Sequence, residues 1–366
     1  MESAVPSGRR SQPSGGRHPS SAAHSYPRRP VRRPRHHATR VRVLAAAAVT
    51  LLLAAVLAGC GIGGGASRPS DDATLVLDFT PNAVHVGIYS AVARDYTGAE
   101  GVNLTVRQPS QSSDSIKLLE SERADFAILD IHDLGIAREQ GAEVVGVMAL
   151  VQRPLASVLA QPGIRSPRDL EGERVGVTGL PSDRAVLRSI VRGAGGDPAR
   201  VRETQIGFNA VPALIGGRVA GATAFWNVEG VALARRRPRT RVFRVDQFGA
   251  PSYPELILCT TPKTIEERPN TVRALLAALS RGYEYAQTDP ESALSDLQAE
   301  VPGLDRELLT AELDAVGPAF TAGVSRFGEL DPARLGAWSA WDVRFGILER
   351  PVDIRRAFDA RFLPAD

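Results

Sequence analysis

Short apolar runs alternate with stretches of helical spacing through most of this chain, and that alternation restricts the available folds more than any other feature. Residues 74–79, 102–107, 125–129 and 143–150 read as strands, with helical spacing between them. A second block follows Gln161-Pro162-Gly163, with strands over 174–177, 202–206, 221–225 and 241–245 and helices beginning near Ser182, Asn209 and Asn227. Strands joined through helices lie parallel, and a parallel sheet needs both faces covered. The pattern predicts an α/β protein of two lobes, each a mostly parallel sheet flanked by helices. After Tyr253-Pro254 comes one more strand, 255–260, and then helical pattern to the end.

The first 59 residues stand apart from this pattern. Residues 1–42 are rich in Arg, Ser, Pro and His and cannot form a core. Residues 43–58 are apolar and end in Leu57-Ala58-Gly59-Cys60, the layout of a secretory signal. That ending resembles the lipobox of bacterial lipoproteins, which implies lipidation of Cys60 and a membrane-anchored, exported protein. Residues 60–72, rich in Gly and Ser, read as a flexible tether. The formal charge of +3 belongs to the leader. Ten of the 44 basic side chains and one of the 41 acidic ones precede Cys60, leaving 34 against 40. A net acidic mature chain gives no case for nucleic-acid binding. Cys259, the other cysteine, falls in an apolar strand and reads as a buried, inert thiol.

The most informative junction is Leu77-Asp78-Phe79-Thr80-Pro81-Asn82, followed by His85, Gly87, Ile88 and Tyr89. It reads as strand, tight turn and helix start, the place where open α/β sheets bind ligands. It also serves as an ordinary capped connection. The stretch resembles the opening of bacterial solute-binding proteins for thiamine pyrimidine precursors, a family that includes riboflavin binders and the fungal thiamine pyrimidine synthases. Phe79 stands where those have Trp. The resemblance spans about 74–362 and implies the two-lobe periplasmic-binding-protein type II fold. In that fold 73–160 and 256–366 form the first lobe and 161–255 the second, with the helical tail returning to the first lobe and a hinge between them.

The resemblance continues through residues 207–214 and 221–230. If a helix starts at Asn227, Trp226 and Glu229 face one mouth, an indole to stack on a flat ring and a carboxylate to accept its N–H groups. The alternative is a packed Trp and a solvated first-turn acid. Phe79, Asn82 and His85 would face them from the first lobe, with Ser182, Asn209 and Tyr253 as further ligand-binding candidates. An exposed His132 between two acids is either a ligand contact or a helix-start residue. Ser182 suits an anion or a plain N-cap.

No metal-ligand spacing, phosphate-cradling loop or nucleophile elbow occurs in the sequence. The resemblance offers an enzyme as the competing class. Those synthases hold pyridoxal phosphate on a lysine, consume a histidine four residues later, and carry a cysteine run near the second crossing. His132 falls on the histidine, but Ile128 occupies the lysine position and residues 249–255 contain no cysteine. An isoleucine cannot form a Schiff base. The expectation is a non-enzymatic binder without cofactor or metal, delivering a small heterocycle to an ABC permease. The alternatives are a synthase-like enzyme, or a binder of riboflavin or an aliphatic sulfonate. Arg184 is the cation nearest the expected cleft.

Overall fold

The computed structural model describes residues 70–111 and 113–365. The leader, Cys60 and the tether up to residue 69 lie outside them. Two five-stranded sheets follow one plan. The first contains β1 Asp71–Val76, β2 Val102–Arg107, β3 Phe126–Asp130, β4 Val145–Val151 and β10 Leu256–Thr260, in the order β2-β1-β3-β10-β4. The second contains β5 Ala156–Ala160, β6 Arg174–Val177, β7 Arg202–Gln205, β8 Gly221–Phe225 and β9 Arg241–Arg244, in the order β7-β6-β8-β5-β9.

Each sheet is parallel except for one strand, which runs against both neighbours: β10 between β3 and β4, and β5 between β8 and β9. These are the two strands that the chain enters on arriving from the other sheet. The crossings are residues 152–155 and 245–255. The first comes earlier than the boundary at 160 that the sequence suggests. Residues 156–160 are wholly buried, as is β4, so the buried stretch continues across the crossing and only Gln152-Arg153-Pro154 interrupts the apolar run. Likewise β1 ends at Val76 rather than Phe79, which frees Asp78 and Phe79 for the turn.

The helical turn after β1 opens as a short 3-10 segment, Ala83–His85, and becomes α-helical over Val86–Ala93. Asn82 caps it, its Oδ1 accepting the Val84 N–H at 2.9 Å. The long helix Pro269–Thr288 crosses this one at Gly87 and Gly282, where the backbones touch. The Tyr283 hydroxyl donates to the Val84 carbonyl at 2.8 Å, so the tail helix is fastened to the turn that follows β1. A methyl at Gly282 would overlap the Gly87 carbonyl oxygen, a backbone atom that cannot swing away. Gly282→Ala should therefore cost about 1–3 kcal/mol in chemical denaturation; a neutral result would mean that the two helices separate freely. None of the helices among the described residues is long and apolar enough to cross a membrane.

Candidate functional site

A cavity opens where the carboxyl ends of β1, β3, β6 and β8 face one another across the two sheets. Its volume is about 80 Å³, roughly half that of the apolar pocket known to hold benzene, so a ring enters only if the walls part slightly. Phe79 from the first sheet and Phe208 from the second meet across it edge to face, with ring centroids 4.4 Å apart. Phe225 completes the aromatic wall. Five carboxylates reach the lining: Asp78, Asp130, Asp133, Asp183 and Glu229. None of the lining residues is Lys, Arg or His. Such a slot suits a flat, N–H-rich or cationic molecule and repels an anion.

Each acid is held by local structure. Asp78 Oδ1 lies 2.9 Å from His85 Nε2, while His85 Nδ1 is 3.2 Å from the Asn82 backbone nitrogen. Since that backbone N–H must donate, Nδ1 is the acceptor and Nε2–H donates to Asp78. Asp183 Oδ2 accepts the Thr178 hydroxyl at 2.6 Å and the Gly179 N–H at 2.9 Å, closing the turn after β6. Glu229 begins the helix Glu229–Arg236 and its Oε2 accepts the Phe225 N–H at 3.2 Å. Burial pushes the Glu229 carboxyl up to about 7, and the nearby Glu312 and Asp78 add to this.

Of the residues expected from the sequence, Phe79, Asn82, Ser182 and Glu229 line the cavity. His85 lies behind it, wholly buried, and acts through Asp78. Trp226 turns the other way: its indole N–H donates to the Pro154 carbonyl at 2.9 Å and its ring sits 4.3 Å from the Arg244 guanidinium. The strand β8 ends at Phe225 and Trp226 opens the turn before a helix that begins at Glu229 rather than Asn227, so Phe225 takes the inward place expected of Trp226. Asn209 is exposed, with its side-chain amide on the Ile206 carbonyl at the helix start. Arg184 pairs with Glu203 at 2.9 Å, away from the lining.

His132 is not exposed, contrary to the sequence expectation; it and Tyr253 are fully buried. Its Nδ1 lies 2.8 Å from Asp342 Oδ1, and its Nε2 lies 2.9 Å from the Tyr253 hydroxyl. Burial works against its charge, but the Asp342 carboxylate, with Asp130 and Glu255 behind it, outweighs that and lifts His132 to about 10. Asp130, His132 and Glu255 each bring one ligand-type atom within 4.8 Å of the others. Those groups already have work. Both imidazole nitrogens are engaged, Asp130 Oδ1 accepts the His132 N–H, and Glu255 Oε2 accepts the backbone N–H groups of Leu155 and Ala156. Glu255 thus joins the two crossings, and the trio reads as an internal polar brace rather than a metal centre.

The comparisons with known proteins agree with this architecture. Residues 82–293 match the family described as NMT1/THI5 like. The chain belongs to that family. It is 30% identical to the formylaminopyrimidine-binding protein of Halalkalibacterium halodurans, over 85% of this chain and 97% of that one. It is 24% identical to the 4-amino-5-hydroxymethyl-2-methylpyrimidine phosphate synthase of Legionella pneumophila, over 80% of this chain and 92% of the other. Among solved structures it resembles the alkanesulfonate-binding protein SsuA from Xanthomonas axonopodis pv. citri, with a TM-score of 0.65 at 14% identity, covering 80% of this chain and 99% of that one. The fold is thus the periplasmic-binding-protein fold, as the sequence resemblance implied. Phe208, Phe225, Asp130, Asp133 and Asp183 also line the cavity. The sequence shows these residues only as strand ends and helix starts.

Proposed function

We propose that this protein is the exported solute-binding component of an ABC importer, anchored by lipid on Cys60, and that it captures a small planar heterocycle of the thiamine pyrimidine precursor type. The observation that carries the reading is the acidic, phenylalanine-walled cavity between two sheets joined by two crossings. A ring slides between Phe79 and Phe208, Glu229 accepts its exocyclic N–H, and hinge closure presents the two lobes to a permease. The lack of a lining cation counts against a sulfonate even though the fold neighbour binds one. The synthase reading lacks its lysine: Ile128, at that place, forms part of the cavity wall.

A thermal-shift screen of the full-length chain in mild detergent tests this reading, since a ligand that binds the folded state raises the melting temperature. Formylaminopyrimidine and hydroxymethylpyrimidine should shift it; a shift with taurine or pyridoxal phosphate alone would overturn the proposal. Glu229→Ala should then weaken pyrimidine binding by about 1–3 kcal/mol in titration calorimetry, the cost of an unmet buried hydrogen bond. Unchanged affinity would take Glu229 out of the site.

A further inference from the structure

The acids of the cavity fall into two electrostatic groups. Glu229 feels Asp78 and Glu312, whereas Asp133 feels Asp130 and Asp183. In the second group the two oxygens of Asp133 have different fates. Oδ1 accepts the Ser182 backbone N–H at 3.1 Å, a bond that runs from the helix after β3 to the turn after β6 and so from one sheet to the other. Oδ2 is sealed from solvent and makes no hydrogen bond of acceptable geometry, although the Ser182 side chain lies close enough to favour the charged carboxylate. A buried carboxylate oxygen left unmatched is costly. The residue nonetheless stands in the cavity wall and is only 2% exposed.

We propose that Asp133 is a specificity-determining ligand residue whose Oδ2 takes a protonated amino group on the side arm of the ring while Oδ1 keeps hold of Ser182. One carboxylate would then join the ligand to both sheets, so that capture of the arm and closure of the cleft reinforce each other. This rests on the heterocycle reading above and adds to it a cationic arm held at Asp133. The groups facing Asp133 are consistent with such a guest. Burial, with Asp130 and Asp183 adding to it, pushes its carboxyl well above the usual carboxylate range. An ammonium supplies the missing counter-charge, and the Asp133 proton leaves to solvent as the cation docks. His132 lies beyond Asp130 and is already paired with Asp342, so it does not supply that charge.

The test compares 4-amino-5-aminomethyl-2-methylpyrimidine with 4-amino-2,5-dimethylpyrimidine, which differ only by the ammonium, on the full-length chain. The wild type should prefer the amine by about tenfold or more, the range for a hydrogen bond to a charged group. Asp133→Asn keeps an oxygen for Ser182 but turns an amide N–H₂ toward the arm, and should erase that preference. Calorimetry of the wild type in buffers of different ionisation enthalpy should show more proton release with the amine than with the methyl analogue, a result that needs no variant. Equal binding of both probes to the wild type, or an amine preference that survives Asp133→Asn, overturns the proposal but leaves the heterocycle reading standing. Failure of both probes to bind overturns both.

Discussion

Asp342→Ala should lower the folding stability by about 3–5 kcal/mol, because it strands a protonated imidazole in a site closed to water. His132 and Asp342 are wholly buried, and the Trp338 indole N–H lies against the same pair, 3.0 Å from His132 Nδ1. Replacing one member of such a pair leaves the other with its full desolvation cost and no partner, whereas a surface ion pair such as Arg235–Glu307 is worth about 1 kcal/mol at most. The loss should appear as a lower urea midpoint at unchanged m-value. Pyrimidine affinity, measured at a temperature where the variant is folded, should stay within about threefold of the wild type, since Asp342, Tyr253 and Trp338 are absent from the cavity lining. A stability loss under about 1 kcal/mol would mean that His132 is neutral and the brace unimportant. Affinity falling with stability intact would return His132 to the ligand site.

That brace shows where sequence reasoning reaches its limit. His132 and Asp342 are 210 residues apart, and nothing in the local pattern of either points to the other. A histidine beside acids at a strand end looks exposed until the helix Pro332–Phe345 is laid over it. The strand ends themselves were legible, because apolar runs stopped by polar turns announce a sheet edge; hence Phe79, Asn82, Ser182 and Glu229 could be placed at the mouth. Trp226 and Phe225 were misordered because the end of β8 and the start of the next helix decide which side chain faces inward. Asp133 and Asp183 read as helix starts because that is their local role. Their facing positions across the cleft depend on how the two sheets meet, which no short window of sequence contains. The early crossing into β5 was hidden for the opposite reason: burial on both sides leaves an apolar run without a visible seam.

The ligand-free protein should be most stable in mildly acidic solution and weaken steadily as the pH rises, the reverse of what well-paired surface acids produce. Burial lifts Glu229 and Glu312 from the ordinary 4.5 to about 7. Between those values the folded chain holds protons that the unfolded chain has lost, so folding stability falls with rising pH across that window and levels off above it. Each carboxyl contributes up to roughly 3 kcal/mol to that fall, at 1.36 kcal/mol for every tenfold change in acidity. His132, raised from 6.5 to about 10, acts with the same sign: its contribution is complete below 6.5 and is lost as pH rises through 10. The opposing groups, Asp289 and Asp359, are held below the ordinary 3.8 by their hydrogen-bonding neighbours, and their stabilising share disappears only in stronger acid. Urea unfolding at pH 5 and pH 8 measures the balance. Glu229→Gln isolates one part of it, leaving stability near the wild-type value at pH 5 and raising it at pH 8, where the wild type must bury an ionised carboxylate among other acids. Stability that climbs from pH 5 to pH 8 would show that these carboxyls are ionised and matched in the empty cleft. With a cationic ligand bound, the slope should shrink, because the guest supplies the charge that the acids lack.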